Sequence, residues 1–212
     1  MNLKPFITLT GADERTDLKA LARLNAEIGL LYTANPEGRH RYPSWDWIME
    51  AGLILPSCAL HVCGRHARNE LRLGQLDVSC FDRIQLNGWP SARDVDRICE
   101  MYPEHTIITQ HSPHCSHLLL GVQSKNHVVL VDASGGKGIT PPNWTRPSTS
   151  KNVGFAGGLG PDNLQNELLN RLGPYLVPGS WIDMESKLRD GDDWFDLAQA
   201  SECCRIFHIF QS

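Results

Sequence analysis

No apolar run in this chain approaches the ~20 residues that a membrane-spanning helix needs. No cysteine pair stands in the C-x-x-C spacing of zinc or redox sites, and no stripe of lysine and arginine marks a nucleic-acid face. The opening residues, MNLKPFITLTG, lack the long apolar core and small-residue cleavage site of a secretory signal. The formal net charge of −4 is too small to select a class of partner. Low-complexity stretches, close repeats and linker-like segments are also missing. These absences exclude membrane spans and argue against nucleic acid as the partner. The seven cysteines are odd in number and scattered, from Cys58 to Cys204. That usage reads as reduced thiols in a cytoplasm rather than a disulfide framework. With 212 residues, 41% hydrophobic and 21% charged, the chain reads as one soluble globular domain over residues 1–212.

Two stretches carry chemistry. Val128–Trp144 reads VVLVDASGGKGITPPNW and Val153–Leu164 reads VGFAGGLGPDNL. In each, a short β-branched run ends in a glycine-rich loop. Glycine lets the backbone approach an anion where no Cβ intervenes, and a following helix N-terminus offers unpaired N–H groups. Gly135, Gly136, Gly157 and Gly158 are therefore candidate phosphate-binding residues. The expected ligand is a phosphorylated small molecule.

Strand and helix patterns alternate along the rest of the chain. Strand ends are expected at Thr10, Tyr32, Cys63, Leu86, Thr109, Val131, Ala156 and Met184. Helices are expected over Glu14–Ala26, Trp45–Ala51 with Ser44 as cap, Arg65–Leu73, Ser91–Met101, His114–Val122, Asp162–Leu172 and Trp194–Cys204. Eight strand–helix units predict an α/β fold, a single parallel eight-stranded (β/α)8 TIM barrel. An open doubly wound sheet is the alternative, but its phosphate loop typically follows the first strand. Here Thr10-Gly11-Ala12-Asp13 is not glycine-rich, and the glycine loops come late, as in barrels.

At this point the residues resemble a family, phosphoribosylanthranilate isomerase. Ile28–Tyr32 with Arg41-Tyr42, Ile84–Gly88, Val131-Asp132 with Gly135, Gly136, Gly138 and Trp144, and Phe155–Leu159 with Pro161 and Asn163 carry the likeness. The resemblance implies a barrel fold, a phosphate site and an Amadori-type isomerisation. It makes Asp132 the general acid, Arg41 the grip on a substrate carboxylate, and the eighth-strand loop at Ser186 and Lys187 part of the phosphate site. Three positions depart from the pattern. The family cysteine that serves as base is Thr10 here, its fourth-strand histidine is Asn87, and its eighth-strand S-S-G is Glu185-Ser186-Lys187.

Each candidate has a plainer reading. Asp132 could merely cap its loop by bonding Ser134 or Gly135. Arg41 could be a solvated loop arginine, and Lys187 could pair with Glu185 or Asp183. Cys63 could be a displaced base or a small buried apolar residue, with Glu185 and Asp183 as further candidates for the base. His111, His114 and His117 read as solvated or structural rather than as metal ligands, and no metal or cofactor is expected. Trp89 could stack on an aromatic substrate. Two functions stay open: an acid–base isomerase or epimerase with altered substrate or activity, and a non-catalytic phosphometabolite-binding or protein-interaction barrel. The sequence does not decide the oligomeric state.

Overall fold

Eight short β-branched or apolar runs form the strands of a computed structural model that describes residues 4–112, 115–132 and 134–212. They are β1 (Phe6–Thr10), β2 (Glu27–Thr33), β3 (Cys58–Cys63), β4 (Arg83–Asn87), β5 (Thr106–His111), β6 (His127–Asp132), β7 (Val153–Ala156) and β8 (Trp181–Met184). All pair in parallel, in sequence order, and β8 closes on β1 through the register Phe6↔Trp181 to Leu9↔Met184. The expected closed barrel is the observed one, and the open sheet is excluded. No helix among the described residues is long and apolar enough to cross a membrane.

Successive residues of a strand face opposite sides, and this period sorts the barrel into two cores. Outward residues such as Ile7, Leu9, Leu60, Val62, Ile84, Val129, Phe155 and Ile182 join the large cluster beneath the helices. Inward, a small cluster of Ile108, Val128, Leu130 and Trp181, with Phe6 and Ala156, plugs the barrel. Around that plug the interior is polar. Arg83 pairs with Glu27 at 2.8 Å, Thr8 donates to the same Glu27 oxygen at 2.8 Å, and the Arg83 guanidinium lies 4.1 Å over the Trp181 ring. Gly154 makes room for this indole, since a Cβ there would overlap Trp181.

The helices are α1 (Leu18–Leu21), α2 (Trp45–Ile54), α3 (Arg65–Arg72), α4 (Ala92–Met101), α5 (His117–Gly121), α6 (Leu164–Glu167) and α7 (Leu197–Phe210). Side-chain caps decide where several begin. Asp17 accepts from the N–H groups of Lys19 and Ala20, so α1 starts there and not at Glu14, and the chain leaves it through Asn25 at φ +51°. Asp196 caps α7 in the same way, because Trp194-Phe195 is held extended by the Arg189↔Phe195 bridge. Ser44 caps α2 as expected. After α6 the chain continues as a wide turn, Leu168–Leu172, and a tight turn, Gly173–Tyr175. No helix follows β6 among the described residues, so one of the eight expected strand–helix units lacks its helix. The Pro141-Pro142 pair lacks the N–H groups a helix would need. Instead Trp144 is buried and donates to Glu167 at 2.7 Å.

At the bottom of the barrel His127 is 1% exposed. Lys151 Nζ donates to its Nδ1 at 3.0 Å, so the proton sits on Nε2, which faces Thr109 Oγ1 at 2.8 Å. Burial, with the Lys151 charge behind it, lowers this imidazole to about 3. The unfolded chain takes up a proton near pH 6.5 that the folded barrel refuses, so stability falls as pH drops below that value. Between pH 7 and 5, His127→Gln should lose about 2 kcal/mol less stability than the parent in urea unfolding. Equal acid dependence of the two proteins would refute this.

Candidate active site

The strands deliver their C-terminal ends to one cavity of about 600 Å³. Its wall includes Arg41, Cys63, Asp132, Gly135, Gly136, Gly157, Gly158 and Ser186, so most of the sequence candidates converge. Lys187 does not join them. It is exposed outside the cavity wall, its aliphatic stem packed against Gly160. Asp183 and Glu185 do line the cavity. His111 ends β5 and His117 opens α5, while His114 lies outside the described residues. Among the described residues no group of three His, Cys, Asp or Glu side chains could hold a metal ion.

Three loops build the glycine side of the mouth. Asn163 ties the β7 loop together: its Nδ2 donates to Gly158 O at 2.9 Å and to Thr140 Oγ1 at 3.1 Å, and its Oδ1 accepts from Gly160 N at 2.9 Å. Thr140 in turn donates to Gly158 O at 3.1 Å, which fastens the β6 loop to the β7 loop. Gly158 has φ +54°, and a Cβ there would overlap Gly138 O and come within 2.8 Å of Thr140 N. Gly138 faces Ser186 of the β8 loop equally closely. Gly158 stands where the β6-loop and β7-loop backbones meet, and Gly138 where the Ser186 side chain packs onto the β6 loop.

Asp132 ends β6, and its acceptor positions are filled by its own surroundings. Oδ1 accepts from Ser134 N at 3.1 Å and Ser134 Oγ at 2.9 Å; Oδ2 accepts from Gly136 N at 2.6 Å and Gln110 Nε2 at 3.4 Å. It thus caps its loop and also faces the cavity.

The departures from the family pattern find their explanation in new partners. Thr10 ends β1, and its hydroxyl donates to Asp183 Oδ1 at 2.6 Å. Burial pushes the Asp183 carboxyl up to about 6, against the Thr10 hydrogen bond that favours its charge; nearby Asp132 also raises it. Asn87 donates to Cys63 Sγ at 3.2 Å and accepts from Gln85 Nε2 at 2.9 Å, and that same nitrogen lies 3.3 Å from His61 Nδ1. Burial drives the Cys63 thiol up to about 12, so it stays protonated at neutral pH. Burial likewise keeps His61 neutral, lowered to about 4.

Arg41 is half-buried at the cavity wall, and its donor edges are held by two carboxylates of the chain itself. Its Nε and Nη2 bind the two oxygens of Asp193 at 3.2 and 2.5 Å, and its Nη1 binds Glu185 at 2.8 Å. Burial raises the Glu185 carboxyl, and Arg41 opposes that rise.

Sequence reading missed Gln85, Gln110 and Arg68 as cavity residues. Alternation from Asn87 and Asp132 across neighbouring strand ends would have found both glutamines. Arg68 gives no such signal: it reaches back from α3 to donate to Asn87 O.

Solved structures share this architecture end to end. TrpF from Jonesia denitrificans matches with a TM-score of 0.72 at 18% identity, over 98% of each chain. Phosphoribosylanthranilate isomerase from Thermotoga maritima, as a monomeric form, matches at 0.67 and 16%, over 95% of this chain and 97% of that one. A phosphoribosylanthranilate isomerase in complex with reduced 1-(o-carboxyphenylamino)-1-deoxyribulose 5-phosphate matches at 0.65 and 14%, over 95% and 97%. No family model matches the sequence, and comparison with curated proteins finds no match. The resemblance first carried by motifs therefore extends to the whole barrel, as a likeness of fold.

Proposed function

We propose that this barrel binds a phosphorylated sugar-type molecule and moves protons on it, as an isomerase or epimerase with an altered substrate. The observation that carries this reading is the placement of Asp132 and Asp183 in one cavity with the two glycine loops and Ser186. The phosphate lies against Gly157, Gly158 and the Ser186 backbone. Sugar hydroxyls meet Gln85, whose buried Oε1 has no partner among the described residues. Asp183 takes the place of the missing cysteine: it touches Thr10, and a carboxyl near 6 suits a base working at neutral pH. In an aldose–ketose step Asp183 removes the proton from the carbon beside the anomeric carbon. Asp132, protonated from solvent once the Gln110 amide, its longest contact, has moved aside, gives that proton to the ring oxygen as the anomeric C–O bond breaks; the lone pair of the exocyclic heteroatom takes up the charge at the anomeric carbon, and Asp183 returns its proton to that carbon. The step is an internal rearrangement and needs no cofactor. A cytoplasmic location suits the seven unpaired cysteines.

The binding half is tested by calorimetry with ribose 5-phosphate. Ser186→Asp puts a carboxylate at the phosphate and should weaken binding at least about tenfold, since like charges ~4 Å apart near a surface repel by several kcal/mol. Lys187→Ala, altering a side chain outside the cavity, should leave affinity within about threefold. Equal affinity of Ser186→Asp and parent would move the phosphate elsewhere.

One observation favours a second reading, a barrel that binds without turning over: the chain's own donors already occupy Asp132. Incubation with a phosphosugar in deuterium oxide separates the two. Deuterium entering the carbon beside the anomeric carbon supports proton transfer; tight binding with no exchange supports the binding-only barrel.

A further inference from the structure

The β2 loop crosses the end of β1 to reach the β8 loop, and the crossing is a clasp. Asp193 fills the Nε/Nη2 edge of the Arg41 guanidinium and Glu185 takes Nη1, so both edges that would fork onto a ligand carboxylate are engaged. Arg189 supports the clasp from below: it donates to Gly11 O and Asp193 O and stands 3.7 Å from carboxylate oxygens of both Asp13 and Asp193. A second anchor holds the same loop, with His40 stacked 3.6 Å from the Trp194 ring and Arg15 at 3.7 Å from it. Within the clasp the three carboxylates Asp13, Glu185 and Asp193 face the two guanidiniums Arg41 and Arg189. The two other arginines of the cavity wall each hold a contact of their own. Arg68 donates to Asn87 O, and Arg39 lies over the Tyr42 ring.

We infer that the β2–β8 rim accepts an uncharged or cationic group on the phosphosugar and rejects a carboxylate, with Glu185 and Asp193 as the specificity-determining residues. This rests on the phosphosugar reading above. A carboxylate arriving here must displace Asp193 from a two-point ion pair while facing Glu185. An amine or a neutral ring meets Glu185 with no such loss.

The test compares two stable ligands by calorimetry: reduced 1-(o-carboxyphenylamino)-1-deoxyribulose 5-phosphate and the same compound without its carboxyl group. Ribose 5-phosphate is the reference. The parent should bind the carboxyl-free ligand at least tenfold tighter. Glu185→Gln with Asp193→Asn should bring the two ligands level or reverse the order, while ribose 5-phosphate affinity shifts equally little with either rim. Asp193 sits at φ +64°, a conformation asparagine tolerates, so Asp193→Asn alone serves if the double variant does not fold. Tighter binding of the carboxylated ligand by the parent, through Arg39, Arg68 or a reopened Arg41, would overturn the inference and leave the phosphosugar reading intact. A tenfold preference that survives in the variants would also overturn it. Failure of ribose 5-phosphate and both analogues to bind would overturn the phosphosugar reading, and this inference with it.

Discussion

Asp183→Asn should make the protein more stable and abolish proton transfer. The carboxyl is buried and stands at about 6 in the folded barrel, against an ordinary value near 3.8. A folded-state value above the unfolded one means that the native state holds the proton more tightly. Stability is then fully present below about pH 3.9 and is lost as pH rises through about 6. At pH 7–8 the parent carries that loss and the amide does not. The gap is about 3 kcal/mol at most, and each kcal/mol is roughly 2–4 °C of Tm at this chain length. The substitution keeps the geometry: Thr10 can still donate to the new carbonyl, and the Gln85 side chain already neighbours Asp183. The Tm advantage should fade below pH 4. Turnover, or deuterium exchange into ligand, should fall by roughly 100- to 10,000-fold, the usual cost of losing a positioned base. In the parent, kcat/KM should rise with pH through about 6 and then level. A purely structural Asp183 would give a different signature, a lower Tm with exchange retained, and that result would remove it from the mechanism.

Much of this was visible in the sequence, for a physical reason. Strand ends were legible because β-branched runs stop where glycine or a polar residue begins, and Thr10, Cys63, Ala156 and Met184 end their strands as expected. Helix starts were less so. Asp17 and Asp196 choose them through single side-chain hydrogen bonds, and periodicity does not register a cap. Asp132 and the glycine loops were legible because the turn that positions them is local. The state of Arg41 was not: its partner Asp193 is 152 positions away, and only the closed barrel brings the β2 and β8 loops together. The same holds for Thr10 and Asp183, 173 positions apart, which become neighbours where the last strand meets the first. The sequence showed a threonine, Thr10, where the family it resembles has a cysteine. It took the barrel's closure to show a carboxylate beside the vacancy.

Phosphoribosylanthranilate should be a poor substrate of the parent, and restoring the cysteine alone should not rescue it. Two separate obstacles stand in the way. The clasp opposes the substrate's carboxylate, and a thiol placed at Thr10 would be buried beside the Asp183 carboxylate. Burial and a neighbouring negative charge both hold a thiol protonated. Cys63 already shows the outcome in this cavity, pushed to about 12 chiefly by burial. A protonated thiol cannot take the substrate's proton. Thr10→Cys should therefore raise turnover less than about tenfold, well short of the 100- to 10,000-fold that a positioned base supplies. Adding Glu185→Gln and Asp193→Asn frees Arg41 for the carboxylate and should lower KM. Adding Asp183→Asn removes the charge beside the thiol and should raise kcat. A fluorescence assay of the single, triple and quadruple variants resolves the two obstacles, since one acts on KM and the other on kcat. Efficient turnover by the parent would show that the clasp does not keep the substrate's carboxylate out. A rescue of 100-fold or more by Thr10→Cys alone would show that the carboxylate at Asp183 does not govern a base at the end of β1.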